Sequence, residues 1–157
     1  MNDEQRIITF RVGGECYAMP LLSVREVIAL PTLTGVPFAP PQFLGITNLR
    51  GQVISIFDLR IMVGLKRPAD TQETAVIIIN FDQLRIGVVV DSVDQVIVFS
   101  KDELSPAPEL RDQRGKEYLT GVIRKEGKLL LLVDIAKALG VEDLAIVAEH
   151  SGAKVAA

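Results

Sequence analysis

The chain has 157 residues, a formal net charge of −3, 48% hydrophobic and 24% charged residues, and a mean hydropathy of +0.32. A chain of this length forms one domain or two very small ones and buries roughly 70% of the surface that its unfolded form exposes, which excludes disorder for most of it. No apolar run approaches the roughly 18 to 20 residues of a spanning helix, the single cysteine cannot form an internal disulfide, and an acidic chain (pI ≈ 5.2) without tryptophan lacks the basic field and stacking surface of sequence-independent nucleic-acid binding.

The N-terminus, Met1-Asn2-Asp3-Glu4, is acidic and polar rather than basic and then apolar, so the product is expected to stay in the cytoplasm. Ile8, Phe10 and Val12 alternate with Thr9 and Arg11. Gly13-Gly14 then supplies the φ > 0 residues of a tight hairpin, and the return strand covers 15–19. Cys16 lies in this apolar pattern and reads as a buried, inert thiol. A short strand is predicted over 24–28. The connector 29–44 carries Leu30, Leu33, Val36 and Phe38 among Pro31, Pro37, Pro40 and Pro41. Proline keeps it extended, and it either packs over the first barrel or displays an apolar strip to a partner.

A longer strand over 52–57 leads to Asp58 and a short helical pattern over 59–63, closed by Gly64. Strands are predicted at 76–81 and 84–90, turning at Asp82-Gln83, and again at 93–98. The second connector, 101–120, holds Ser105-Pro106-Ala107-Pro108-Glu109-Leu110 and a polar run over 111–117, and reads as a mobile surface loop. A strand over 128–133, then Asp134, a helical pattern over 135–139 and Gly140 repeat the earlier ending. Residues 142–149 are predicted to form a short helix with Leu144, Ile146 and Val147 available to dock, and 150–157 to fray.

This order of elements is an internal repeat. Laying 7–28 on 76–97, a shift of 69, superposes Ser23-Val24 on Ser92-Val93 and pairs Ile8, Phe10, Val12, Tyr17 and Met19 with Ile77, Ile79, Phe81, Ile86 and Val88. Laying 45–65 on 121–141, a shift of 76, superposes Gly45/Gly121, Gly51/Gly127, Asp58/Asp134 and Gly64/Gly140. The expectation is a mainly β chain, a single domain over 1–157. It contains two barrel-like units of about five short strands, from repeats at about 7–65 and 76–141, with a C-terminal helix and tail at 142–157. Closing each sheet removes exposed edges, and strands apolar on both faces suit cover on both sides.

The same inventory argues against an enzyme. The only histidine, His150, lies in a small-residue tail, so a histidine-based triad or metal cluster would have to be built from a frayed end. Asp58 and Asp134 do not read as an acid/base pair, because they occupy equivalent places in two copies of one motif; each precedes a short helical pattern, where N-capping explains it. No cofactor or metal is expected. The sharpest difference between the copies is at one turn, Asn48-Leu49-Arg50-Gly51 against Arg124-Lys125-Glu126-Gly127. It is either drift at a solvated turn or an exposed apolar-plus-cation pair, Leu49 and Arg50, of the kind enriched at binding hot spots.

The run from Phe43 through Gly45-Ile46-Thr47-Asn48-Leu49-Arg50-Gly51 to Phe57-Asp58-Leu59-Arg60 resembles the CheW family of chemotaxis coupling proteins. So do Ile86-Gly87-Val88-Val89-Val90-Asp91, Pro106-Ala107-Pro108-Glu109 and Tyr118-Leu119-Thr120-Gly121. The resemblance extends from about residue 7 to 141. It implies two SH3-like five-stranded barrels and a non-enzymatic adaptor, expected to be monomeric when free, that bridges chemoreceptor cytoplasmic tips to the histidine kinase CheA. The length fits the stand-alone coupling protein, without a kinase or receiver domain. The resemblance further implies a receptor-facing groove between the barrels that uses Val24, Glu26 and Arg50, with Leu49 beside them. It implies kinase contact at Glu109 and Leu110, and structural glycines at Gly45, Gly51 and Gly87. The expected location is the cytoplasm, at membrane-associated receptor arrays, with no direct insertion into the bilayer. The other readings are a module of a different chemosensory-type pathway, or a small-molecule sensor with a pocket between the barrels.

Overall fold

The computed structural model describes residues 4–81, 84–106, 118–139, 143, 146 and 147. Its strands are β1 (Gln5–Val12), β2 (Glu15–Pro20), β3 (Val24–Ala29), β4 (Phe43–Leu49), β5 (Gln52–Asp58), β6 (Ala75–Phe81), β7 (Leu84–Val90), β8 (Ser92–Phe99), β9 (Leu104–Pro106), β10 (Leu119–Lys125) and β11 (Lys128–Val133). Two one-turn helices, α1 (Leu59–Met62) and α2 (Ile135–Ala138), follow β5 and β11. Of the segment predicted to end the fold as a helix, Asp143, Ile146 and Val147 are helical; the turn at 82–83 and the run 107–117 lie outside the described residues.

The strands form two sheets, β8-β1-β2-β11-β10-β9 and β3-β6-β7-β5-β4. The edges of the second meet: Glu26 on β3 pairs with Arg50 at the β4–β5 turn, so that sheet curls into a barrel. The two curled sheets correspond to the two five-stranded SH3-like subdomains, with the short β9 added as a sixth strand to one of them.

One expectation is corrected. Neither repeat closes on itself. Each sheet takes the first hairpin of one repeat and the later strands of the other, β1 and β2 with β8, β10 and β11, and β6 and β7 with β3, β4 and β5. The exchange obeys an internal two-fold relation down to register. β1 pairs Thr9 with Gln95 and Phe10 with Val93, skipping Asp94; at the matching positions, β6 pairs Ile78 with Glu26 and Ile79 with Val24, skipping Arg25. The parallel pairs Ser55↔Ile86 and Leu131↔Tyr17 are likewise equivalent, as are the bulges between Phe43 and Gly45 and between Leu119 and Gly121. Hairpins are local and form within a repeat, whereas the parallel contacts are available from either copy. The alignment of the copies therefore leaves the exchange open.

The apolar surplus is divided among three cores. Strand alternation sends Ile77, Ile79, Ile86, Val88 and Val90 to a central core shared by both sheets, together with Phe10, Met19, Phe57 and Leu59. The opposite faces of the same strands, Val76, Ile78 and Val89, join Ile54 and Ile56 inside the five-stranded barrel. Ile7, Ala18, Phe99, Ile123 and Leu130 fill the other. Because β6 and β7 have a core on each side, they read as near-continuous apolar runs. The proline-rich connector is split. Leu30 and Leu33 pack against the five-stranded barrel's interior and Val36 against the central core, while Phe38 is fully exposed with φ 62°.

Candidate functional site

The β4–β5 connection is a two-residue loop between paired Leu49 and Gln52, with φ of 50° at Arg50 and 86° at Gly51. Positive φ at both positions defines the turn type whose twist matches the flanking strands. Asn48 Oδ1 accepts from the Gly51 N–H at 2.8 Å and fixes the loop. Arg50 takes up a left-handed backbone there, at a cost of about 1–2 kcal/mol for a residue with a Cβ, and its side chain stands 66% exposed. The equivalent β10–β11 loop has the same geometry at Glu126 and Gly127, so the two turns share a backbone and differ in charge.

Arg50 Nη2 donates to Glu26 Oε2 on β3. Around this pair opens a cleft lined by Arg25, Glu26, Leu49, Arg50, Gln52, Ile78 and Arg85, and Arg85 donates to Gln52 Oε1. Three guanidinium groups and one carboxylate make the mouth of this barrel electropositive on an acidic chain. Leu49 supplies an apolar wall and packs partly against the interior of the same barrel.

Of the four residues assigned to receptor contact, the fold thus gathers Glu26, Leu49 and Arg50 around one cleft, at the mouth of the five-stranded barrel and not between the barrels. Val24 lies on the opposite face of β3: the bulge at Arg25 pairs it with Ile79 and Glu26 with Ile78, and it packs against the central core. Sequence reasoning missed Arg25 and Arg85. The available signal was the repeat alignment, which lays Arg25 on Asp94 and Arg85 on Cys16. Cys16 itself is half-buried. Glu109 and Leu110 fall outside the described residues.

The three glycines have steric reasons. A Cβ at Gly45, where φ is +145°, would stand 2.5 Å from the Thr34 carbonyl oxygen, because Thr34 bridges to Ile46 at that edge. At Gly87 it would meet Ile56 Cδ1 at 2.6 Å and Val76 Cγ1 at 2.7 Å inside the barrel. Gly51 holds the φ of the Arg50 loop.

Asp58 caps α1, accepting from the Arg60 N–H at 2.9 Å, and Asp134 caps α2, accepting from the Lys137 N–H at 3.3 Å. Asp58 does more. It is wholly buried and holds Arg60, 1% exposed, through Nε at 2.9 Å and Nη2 at 3.0 Å. Arg60 Nη1 reaches Asp91 Oδ1 at 2.9 Å, and Asp91 Oδ2 accepts from the Gly13 N–H of the β1–β2 turn at 2.8 Å. Burial opposes the charge of Arg60, but its hydrogen bonds to Asp58 and Asp91 outweigh that and raise its pKa above the ordinary value. This bracket ties α1, on the five-stranded side, to the hairpin of the other barrel.

Among the described residues no three His, Cys, Asp or Glu side chains are grouped to hold a metal ion, and no helix is long and apolar enough to cross a membrane. The model of the CheW-like domain matches residues 6–143. The chemotaxis protein CheW of Klebsiella aerogenes is 36% identical over 143 residues, covering 91% of this chain and 86% of the relative. CheW of Bacillus subtilis is 30% identical over 138 residues, covering 88% of each. The crystal structure of the scaffolding protein CheW from Thermoanaerobacter tengcongensis has a TM-score of 0.76 at 25% identity, over 83% of this chain and 88% of that one. The two curled sheets, the Asn-Leu-Arg-Gly loop at the barrel mouth and these matches together make this chain a member of the CheW family, the non-catalytic scaffold and adaptor proteins of chemotaxis.

Proposed function

We propose that this protein couples the cytoplasmic tips of chemoreceptors to a CheA-type histidine kinase, working in the cytoplasm and recruited to membrane-associated receptor arrays. The observation that carries the reading is the convergence of Glu26, Leu49 and Arg50 on one cleft, because the family resemblance assigns receptor contact to Glu26 and Arg50 and the turn comparison sets Leu49 beside them. An apolar wall with an electropositive rim suits an amphipathic helix that carries carboxylates beside its apolar face. The rim charges set orientation and association rate more than affinity. Val24 contributes through the seating of β3, and kinase contact is carried by Glu109 and Leu110 on the resemblance alone.

Co-sedimentation with receptor-bearing membranes and kinase, together with receptor-controlled kinase autophosphorylation, tests the proposal. The expected result is a ternary pellet and stimulated phosphorylation; failure to bind either partner at tens of micromolar protein would overturn it. A sensor pocket between the barrels is not favoured: the cavity there is about 140 Å³, below the roughly 300 Å³ at which small-molecule sites begin.

A further inference from the structure

That cavity has an internal reference. It is lined by Met19, Pro20, Ser23, Asn80, Asp134 and Ala136, among others. Under the repeat relation these positions correspond to Val88, Val89, Ser92, Arg11, Asp58 and Arg60, which are the surroundings of the buried arginine bracket at the other junction of the two barrels. The backbones agree at this place: Asp58 N–H donates to Gln42 O at 2.8 Å and Asp134 N–H to the equivalent Tyr118 O at 2.9 Å. One junction is therefore filled by the Arg60 side chain, held between Asp58 and Asp91. At the other, alanine replaces the arginine and Leu22 replaces Asp91, and the space stays open. Its capping carboxylate is kept. The Asp134 carboxylate accepts the Lys137 N–H alone and has no ion pair among the described residues. Exposed Pro20 and Thr120 stand at the rim, so the cavity is reached from outside.

We propose that this cavity is a socket for one arginine side chain of a partner protein, whose guanidinium pairs with Asp134 as Arg60 pairs with Asp58. The occupant follows from charge and shape. A half-buried carboxylate beside apolar walls formed by Met19, Ile79 and Val133 fits a planar cation on an aliphatic stem, which matches carboxylates through two parallel hydrogen bonds. Lysine offers a point charge without that fork. The socket goes beyond the receptor and kinase reading, and its test uses neither partner, so the two can fail separately.

The probe is N-acetyl-arginine amide, titrated against the isotope-labelled full chain, with N-acetyl-norleucine amide as the apolar control. The arginine probe is expected to shift the amide resonances of Thr120, Ile135 and Ala136 saturably, and the control to leave them in place. Asp134→Asn keeps a good N-cap while removing the charge, and is expected to weaken the probe about tenfold. Ala136→Arg supplies the missing side chain in cis. It is expected to raise the thermal midpoint by about 2–4 °C, to abolish probe binding, and to lose its stabilisation when combined with Asp134→Asn. Equal shifts from both probes, or an Ala136→Arg effect that persists without Asp134, would overturn the socket. So would occupancy by this chain's own Arg111 or Arg114, seen as loss of stability on their replacement by alanine that does not add to the effect of Asp134→Asn.

Discussion

Arg50 and Glu26 pair across the closure of the five-stranded barrel, from a turn beyond one edge strand to the strand at the opposite edge. Both side chains keep solvent contact, at 66% and 26% exposure, so the pair is worth about 0–1 kcal/mol. Its consequence is placement: it aims Leu49 and the guanidinium at the same cleft.

Arg50→Glu is expected to reduce receptor binding at least tenfold while moving stability by about 0.5 kcal/mol or less. Glu26→Arg combined with Arg50→Glu restores the pair with its polarity reversed, and is expected to keep the near-unchanged stability but not to recover receptor binding. Co-sedimentation beside thermal unfolding checks both. A large fall in the midpoint of Arg50→Glu would make Arg50 a structural residue.

Arg60 behaves oppositely. Arg60→Met removes the two-point partner of buried Asp58 and leaves it only the half-exposed Arg67, whose Nε stands 3.4 Å from Oδ2, so the loss is expected to approach that of a broken buried pair, about 3–5 kcal/mol. Asp58→Asn added to Arg60→Met removes the stranded charge and keeps the cap, so part of the loss is expected to return. Urea unfolding of the wild type, single and double variants measures this. A double variant as unstable as Arg60→Met would show that the charge of Asp58 is not the cause.

What the sequence made legible follows from local chemistry. The Gly13-Gly14 hairpin, the two aspartate-to-helix endings and the equivalence of the copies each rest on a few neighbouring residues. Hidden were the features that depend on partners distant in the chain. Strand exchange was hidden because the copies are alike. The burial of Arg60 was not legible, because its partner Asp91 lies 31 positions away. Yet the repeat alignment already set Arg60 on Ala136 and Asp91 on Leu22, a charge pair present in one copy only, which is the pattern to look for in duplicated folds. Val24 and Leu49 looked alike as exposed anchors. The structure separates them, since alternation and the bulge at Arg25 send Val24 to the central core.

The glycines allow a ranked prediction. Gly45→Ala combines a φ of +145° with a Cβ 2.5 Å from a backbone oxygen, while at the equivalent Gly121 the nearest atom is Leu104 Cδ1 at 2.7 Å, the end of a flexible side chain. Gly45→Ala is therefore expected to destabilise more than Gly121→Ala, the latter by about 1–3 kcal/mol as ordinary overpacking. Denaturant midpoints of the two variants compare them directly, and equal losses would remove the backbone clash as the distinguishing cause.

Tyr17 carries the alkaline limit of the fold. Burial, reinforced by the negative charges that Tyr118 and Glu15 present, pushes its pKa from 10.0 up to about 12. The folded state thus keeps the phenol neutral where the unfolded chain has begun to ionise it. A group raised in the folded state contributes fully below its unfolded pKa and loses that contribution as pH rises through the folded one. Stability is therefore expected to fall between pH 10 and about 12, and Tyr17→Phe to flatten that part of the profile. Tyrosinate absorbance in a Tyr118→Phe background isolates the titration of Tyr17, and a midpoint near 10 would show that its ring is not shielded in solution.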